Sequence, residues 1–225
     1  MSNTGTSIAV ALSQPISKAA YDYWNAARNG RPLPSRREID PAQLRTVLPH
    51  IMVLQRVFPS DVIFRLAGTA ICQAFGRELR DHSVLSLWDG RHRGLIASAL
   101  SSSLERGSPL LLQFRAHALG QPPLNGEWLM LPLLDDRGHA SNILASFAFS
   151  RGGLMPKAFI RLELLCVDAI RPDSDRVELS LAASPLPRRA LTLVAGTQDA
   201  QMPLPPNMSH PWAGLLRDFF RCEEG

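Results

Sequence analysis

The residues able to do chemistry are few and scattered. Cys72, Cys166 and Cys222 stand far apart, without the Cys-x-x-Cys spacing that a structural zinc site needs. An odd, widely spaced set also argues against a disulfide framework and for a reducing, cytoplasmic setting. His82, His117 and His139 have no ligand-like spacing to one another. His92 sits near the start of a long predicted helix, where a core-edge histidine is expected. Asp135-Asp136 could form a carboxylate pair, but Arg137-Gly138 follows, and the four residues read as a turn. There is no phosphate loop, dinucleotide fingerprint or nucleophile elbow. No acid–base or nucleophile constellation emerges, so neither an enzyme, a cofactor nor a metal site is expected.

The charge balance says little more. The net charge of +4 comes almost entirely from arginine, and its excess lies in residues 1–150. Arg28, Arg31, Arg36 and Arg37 make the one dense basic stretch. A nucleic-acid partner rests on that stretch alone; the expected reading is a solvated loop whose arginines pair with carboxylates such as Glu38. The start, MSNTGTSIAVALSQ, has no basic residue before its apolar part and makes a poor secretory signal. No run of 18 apolar residues offers a membrane span. With 225 residues, 45% of them hydrophobic, the chain can build one domain plus an appendage.

Aromatic residues are the more promising groups, and the elements that carry them follow from pattern. Residues 18–28, KAAYDYWNAAR, read as a helix with Tyr21 and Trp24 on one face, ended by Gly30 and kept from restarting by Pro32 and Pro34. Asp40-Pro41 opens a second helix through Leu44, Val47 and Leu48, stopped by Pro49. Ile51 to Leu54 is apolar on consecutive residues, so both faces of that strand must be covered. Pro59-Ser60-Asp61 turns into a strand from Val62 to Leu66. Thr69 caps a short helix bearing Ile71, Cys72 and Phe75, and Gly76 ends it. Residues 91–106 form a longer helix, and strands follow at 110–118, 126–133 and 141–149. Pro132 lacks a donor and must lie at an edge or bulge. Phe64, Phe75, Phe114, Trp128 and Phe147 then fall where one interior face can gather them, as a ligand pocket or as plain core.

This order predicts an α+β domain, a five-stranded antiparallel sheet with helices against one face, an N-terminal flanking helix and a C-terminal extension. The expected boundaries are a flexible tail over 1–17, the domain over 18–150, and a partly ordered extension over 151–225. In the extension, Leu154 to Ile170 reads as helix and Val177 to Ala182 as strand. Leu191 to Val194, a Pro-rich linker at 202–206 and a final helix near 211–221 follow.

Several segments in this order resemble a bacterial PAS-like family. They are Trp24, then Arg31-Pro32-Leu33-Pro34-Ser35-Arg36, Ile39-Asp40-Pro41 and Leu48-Pro49-His50. Phe64-Arg65-Leu66-Ala67-Gly68-Thr69, Phe75-Gly76-Arg77-Glu78-Leu79 and Leu131-Pro132-Leu133 complete the set. Its motif positions are Arg36, Asp40, Pro41, Arg65, Gly68, Gly76 and Arg77. Arg80-Asp81-His82 stands where the family often has a glycine. The resemblance implies a cupped sheet with a helical lid that holds a small molecule or contacts a partner, with flanking helices such as that of Tyr21 and Trp24 used for dimerisation. It also draws attention to His92, because some PAS domains ligate haem from the corresponding helix, and to Cys72, because light-sensing ones use a flavin-reactive thiol. The polar flavin motif is missing, so both are expected to be structural and the protein colourless. The leading expectation is a sensory, regulatory module acting in signal transduction through a protein partner or self-association, with a small-molecule ligand as the other candidate. The alternative is a ligand-binding protein without a signalling partner.

Overall fold

The computed structural model describes residues 12–58, 61–150, 159–170 and 172. Residues 1–11, Pro59-Ser60 and the segments expected at 177–182, 191–194, 202–206 and 211–221 lie outside them. Helix α1 runs Pro15–Arg28, three residues earlier than the pattern suggested, with Pro15 at its first position, where a missing N–H costs nothing. Leu12, assigned above to a flexible tail, is buried. The expected second helix is instead two 3-10 turns, Pro41–Leu44 and Leu48–His50. Asp40 caps the first through the Ala42 N–H, and Pro49 falls inside the second, where its ring prevents a continuous α-helix.

Strands β1 (Ile51–Phe58) and β2 (Asp61–Ala67) lead into α2 (Thr69–Phe75). The cap of α2 is Gly68 and not Thr69. Gly76 ends it in the left-handed region at φ 64°. The Gly76 and Arg77 N–H groups bond back to Gln73 and Cys72, a Schellman closure. Asp81, within the Arg80-Asp81-His82 stretch where the resembling family often has a glycine, takes φ 62°, a conformation aspartate tolerates better than most side chains. Asp89 caps α3 (Gly90–Arg106), and β3 (Leu110–Ala118), β4 (Leu124–Leu134) and β5 (Ala140–Phe149) follow.

A sixth strand, β6 (Phe159–Ala169), takes the place of most of the helix expected over Leu154 to Ile170, whose residues 154–158 lie outside the described ones. It pairs with β3 over nearly its whole length and puts Phe159, Leu162, Leu164 and Val167 into the core. Register shifts opposite Gln113/Phe114 and His117/Ala118 break their period of two, which is why the segment looked helical. The domain therefore continues past residue 150. All pairings between the described strands are antiparallel, in the order β2-β1-β5-β4-β3-β6. Pro132 lies in a central strand but beyond the end of β3, whose pairing with β4 stops at Met130, so no ladder donor is missed.

Both faces of the sheet are covered, as the doubly apolar start of β1 requires. Met52 and Leu54 join α2, α3 and the inner residues of β2 to β6 in one core; Ile51 and Val53 join α1 and the 30–50 segment in a second.

Candidate functional site

Alternation along the central strands sends Phe114 on β3, Trp128 on β4 and Phe147 on β5 to the same face. β2 adds Phe64 and α2 adds Phe75. All five expected pocket residues meet in one cluster. Phe114 and Phe147 stack at 4.6 Å between centroids, Trp128 lies 5.5 Å from Phe147, Phe64 6.1 Å from Trp128, and Phe75 5.8 Å from Phe147. Offset-stacked and edge-on pairs at these distances add to the burial of apolar area. Gly126 makes room for this: a Cβ there would strike the Phe114 ring and the Ala148 carbonyl. A larger ring at position 114 would therefore overpack the face instead of filling free space.

Three further aromatics belong to the cluster that were not among the expected pocket residues, although Phe149 shares the face of Phe147 by the period of two. Phe149 and Phe159 lie 5.0 Å apart, Phe159 hidden by the helical reading of its segment. Trp88 stacks on Trp128 at 5.7 Å and 9°, and meets Phe114 edge-on. Its only sequence signal is its place directly before the Asp89 cap. Trp88 and Trp128 are fully buried, and neither indole N–H has a hydrogen-bond partner among the described residues. An unpaired buried donor costs about 1–3 kcal/mol, so this pair is the chemically unfinished part of the face.

The titratable groups nearby are occupied. His92 on α3 is buried, and its Nδ1 accepts from the Leu164 N–H at 3.4 Å; burial, aided by Arg91, holds its pKa below the ordinary value. Burial and then the Glu78 carboxylate push the Cys72 thiol up to about 12, leaving almost no thiolate at neutral pH. Among the described residues no group of three or more His, Cys, Asp or Glu is placed to hold a metal.

The opposite face holds α1. Glu127, next to Trp128 but pointing the other way, is buried. Its carboxylate accepts from Ser13 N–H at 3.1 Å, Ser13 Oγ at 2.6 Å and Gln14 N–H at 2.9 Å. A carboxylate there also suits the positive end of the helix dipole. Ser17, Ala20, Trp24 and Arg28 form the buried stripe of α1. Ser146, next to Phe147, meets Ser17, and the Trp24 indole donates to the Pro132 carbonyl at 2.9 Å. Tyr21 packs 6.0 Å from Trp24.

The motif residues brace this frame and do not enter the aromatic face. Arg36 is buried and pairs with Asp136, which Arg37 also contacts at 2.7 Å; Arg31 pairs with Glu38 at 2.8 Å, and Arg28 lies over the Trp24 ring. The basic stretch thus makes internal contacts. Asp40 and Pro41 start a 3-10 turn, Arg65 bridges Gln55 and Asp81, and Gly68, Gly76 and Arg77 bound α2. The turn reading of Asp135 to Gly138 holds, with Asp135 accepting from Arg137 and His139 N–H groups. Asp136 does more: hydrogen bonds first from Arg36, then from Arg37, lower its pKa from 3.8 to about 2. A depressed carboxylate stabilises above its unfolded pKa and loses that contribution as pH falls toward the folded one. Asp136→Asn should therefore weaken the protein at neutral pH and flatten the stability loss between about pH 4 and pH 2. Parallel pH-stability curves for parent and variant would contradict this.

Comparison with known proteins bears on the same span. A family model described as a PAS domain matches residues 12–148. No curated protein matches. Among solved structures, the chain is similar to one described under a flavin analogue and the light-oxygen-voltage domain mechanism. The identity is 14% and the TM-score 0.39, over 48% of this chain and 82% of that one. It is also similar to the dark structure of the blue-light photoreceptor Aureochrome1 LOV, at 13% identity and TM-score 0.37, over 49% of this chain and 80% of that one. No helix among the described residues is long and apolar enough to cross a membrane.

Proposed function

This chain belongs to the PAS domain family, and on that premise we propose that it is a sensory module, not an enzyme, regulated by a small ligand on its aromatic face. Its state passes through α1 to a protein partner or a second copy of the chain. One observation carries the reading: the residues that hold α1 are the direct neighbours of the residues that build the aromatic face. Glu127 adjoins Trp128 on β4, and Ser146 adjoins Phe147 on β5. A strand that shifts to accommodate a ligand against Trp128 and Phe147 must shift the anchors of α1 as well, because packed interiors transmit strain. The chemistry-bearing side chains support a binding role, since His92, Glu127, Asp135 and Asp136 are all engaged in holding the fold.

The reading is tested by perturbing one face and measuring the other. Trp128→Phe and Phe147→Leu touch only the aromatic side. Each is expected to speed hydrogen exchange of the α1 amides more than that of the β1–β2 hairpin. Exchange in α1 that stays at the parent rate in both variants would sink the proposal. Native mass spectrometry of freshly purified protein, with an absorbance spectrum, reports co-purified ligand and oligomeric state together.

A further inference from the structure

We propose that the Trp88 and Trp128 indole N–H groups select the ligand: a neutral, mostly apolar molecule, aromatic or cyclic, that presents a hydrogen-bond acceptor such as a carbonyl oxygen. This rests on the ligand reading above and specifies its chemistry. The two rings lie nearly parallel, 5.7 Å apart, within the aromatic cluster, and both N–H groups are buried without an acceptor among the described residues. Trp24 provides the contrast within the same chain, since its buried indole N–H has the Pro132 carbonyl. An indole N–H only donates, so whatever completes the pair must accept.

The buried groups around the face favour a neutral ligand. The buried ionisable groups Arg28, Arg36, Glu127 and Asp168 belong to the α1 side of the sheet, as the outward neighbours Leu111, Leu129 and Leu131 show. Among the described residues, the buried polar side chains on the aromatic side are His92 and Ser103 of α3. Both are bonded already, to the Leu164 N–H and the Ser108 carbonyl. An ionised ligand would be desolvated with no buried countercharge among the described residues, since Arg93, which donates to the Trp88 carbonyl at 3.1 Å, is exposed. Both donors are held in place: Trp88, between the 3-10 turn Val84–Leu87 and α3, by a bridge to Leu162 of β6, and Trp128 by its central strand.

The test uses two probes of similar shape, acetophenone with an acceptor and ethylbenzene without one. In ¹H–¹⁵N spectra, acetophenone is expected to move the Trp88 or Trp128 indole cross-peak downfield and leave that of Trp24 in place. Trp88→Phe and Trp128→Phe keep an aromatic ring and remove the donor. The variant that loses the responding donor should bind acetophenone about tenfold more weakly, with ethylbenzene changed by no more than about twofold. Equal affinity for the two probes, or variants indifferent to both, would overturn the acceptor proposal and leave a purely apolar ligand site standing. Failure of both probes to bind overturns the ligand reading and this proposal with it. Unliganded Trp88 and Trp128 shifts matching that of Trp24 would show that water already satisfies them, which also overturns it.

Discussion

Trp24→Ala is expected to destabilise the protein by about 3–5 kcal/mol, and deletion of residues 1–30 to make it aggregate or change oligomeric state. The ring is wholly buried between α1 and the sheet, and its N–H reaches Pro132 O at 2.9 Å. Truncation removes the largest side chain of the outer core and leaves a buried carbonyl without its donor. Against a typical domain stability of roughly 5–15 kcal/mol, the loss is severe. Trp24→Phe separates the two effects, because it keeps most of the packing and removes only the hydrogen bond. Deletion goes further: Ile51, Val53, Leu66, Leu111, Leu129, Leu131, Leu133 and Leu144 lie in the core that α1 helps to close. An apolar sheet face of that extent is an association surface. Thermal unfolding with light scattering measures both. A deletion variant as stable and monodisperse as the parent would mean that α1 does not seal this face.

The need for such a seal was legible in four residues. Ile51 to Leu54 is apolar at every position, which only a strand covered on both sides explains, and α1 was the nearest amphipathic candidate. Local signals of this kind served well elsewhere. The β3 bounds, the Gly76 stop and the turn at Asp135 all follow from residues adjacent in sequence. What could not be read is what depends on distant partners. Glu127 looks like an ordinary strand carboxylate until it meets Ser13 and Gln14, more than 110 positions away. Asp136 looks like a turn residue until Arg36 and Arg37 reach it across about 100 positions. β6 failed for a different reason. Its two register shifts scramble the period of two, and the resulting spacings of three, two and three imitate a helix. The five aromatics were identified from their elements, but the unpaired donors of Trp88 and Trp128 are a property of packing.

Gly68→Ala is the second substitution expected to have a large effect, and the reason is space, not backbone freedom. Gly68 has φ −62° and ψ 153°, an extended conformation open to any residue. Its N–H donates to the Ile51 carbonyl at 2.8 Å, which draws the β2–α2 junction onto the chain entering β1. A Cβ at this position would be driven into the main-chain carbonyls of Leu48 and Pro49. Backbone cannot swing aside as a flexible side chain can, so the junction must separate or the hydrogen bond must break. Overpacking of this kind costs about 1–3 kcal/mol and occasionally more; with the hydrogen bond also at risk, the upper end is expected. Gly94→Ala is the matched control. Gly94 is exposed in α3 with nothing within 4 Å of a new Cβ, so alanine there should stabilise by roughly 0.5–1 kcal/mol. Denaturant midpoints of the two variants should therefore move in opposite directions. The effect of Gly68→Ala should also reach the aromatic face, because α2 starts at this junction and carries Phe75, whose ring meets Phe147 at 5.8 Å and Phe159 at 5.9 Å. A Gly68→Ala variant with the parent's midpoint would show that the junction has room to relax, and that α2 is not held to β1 as tightly as this contact requires.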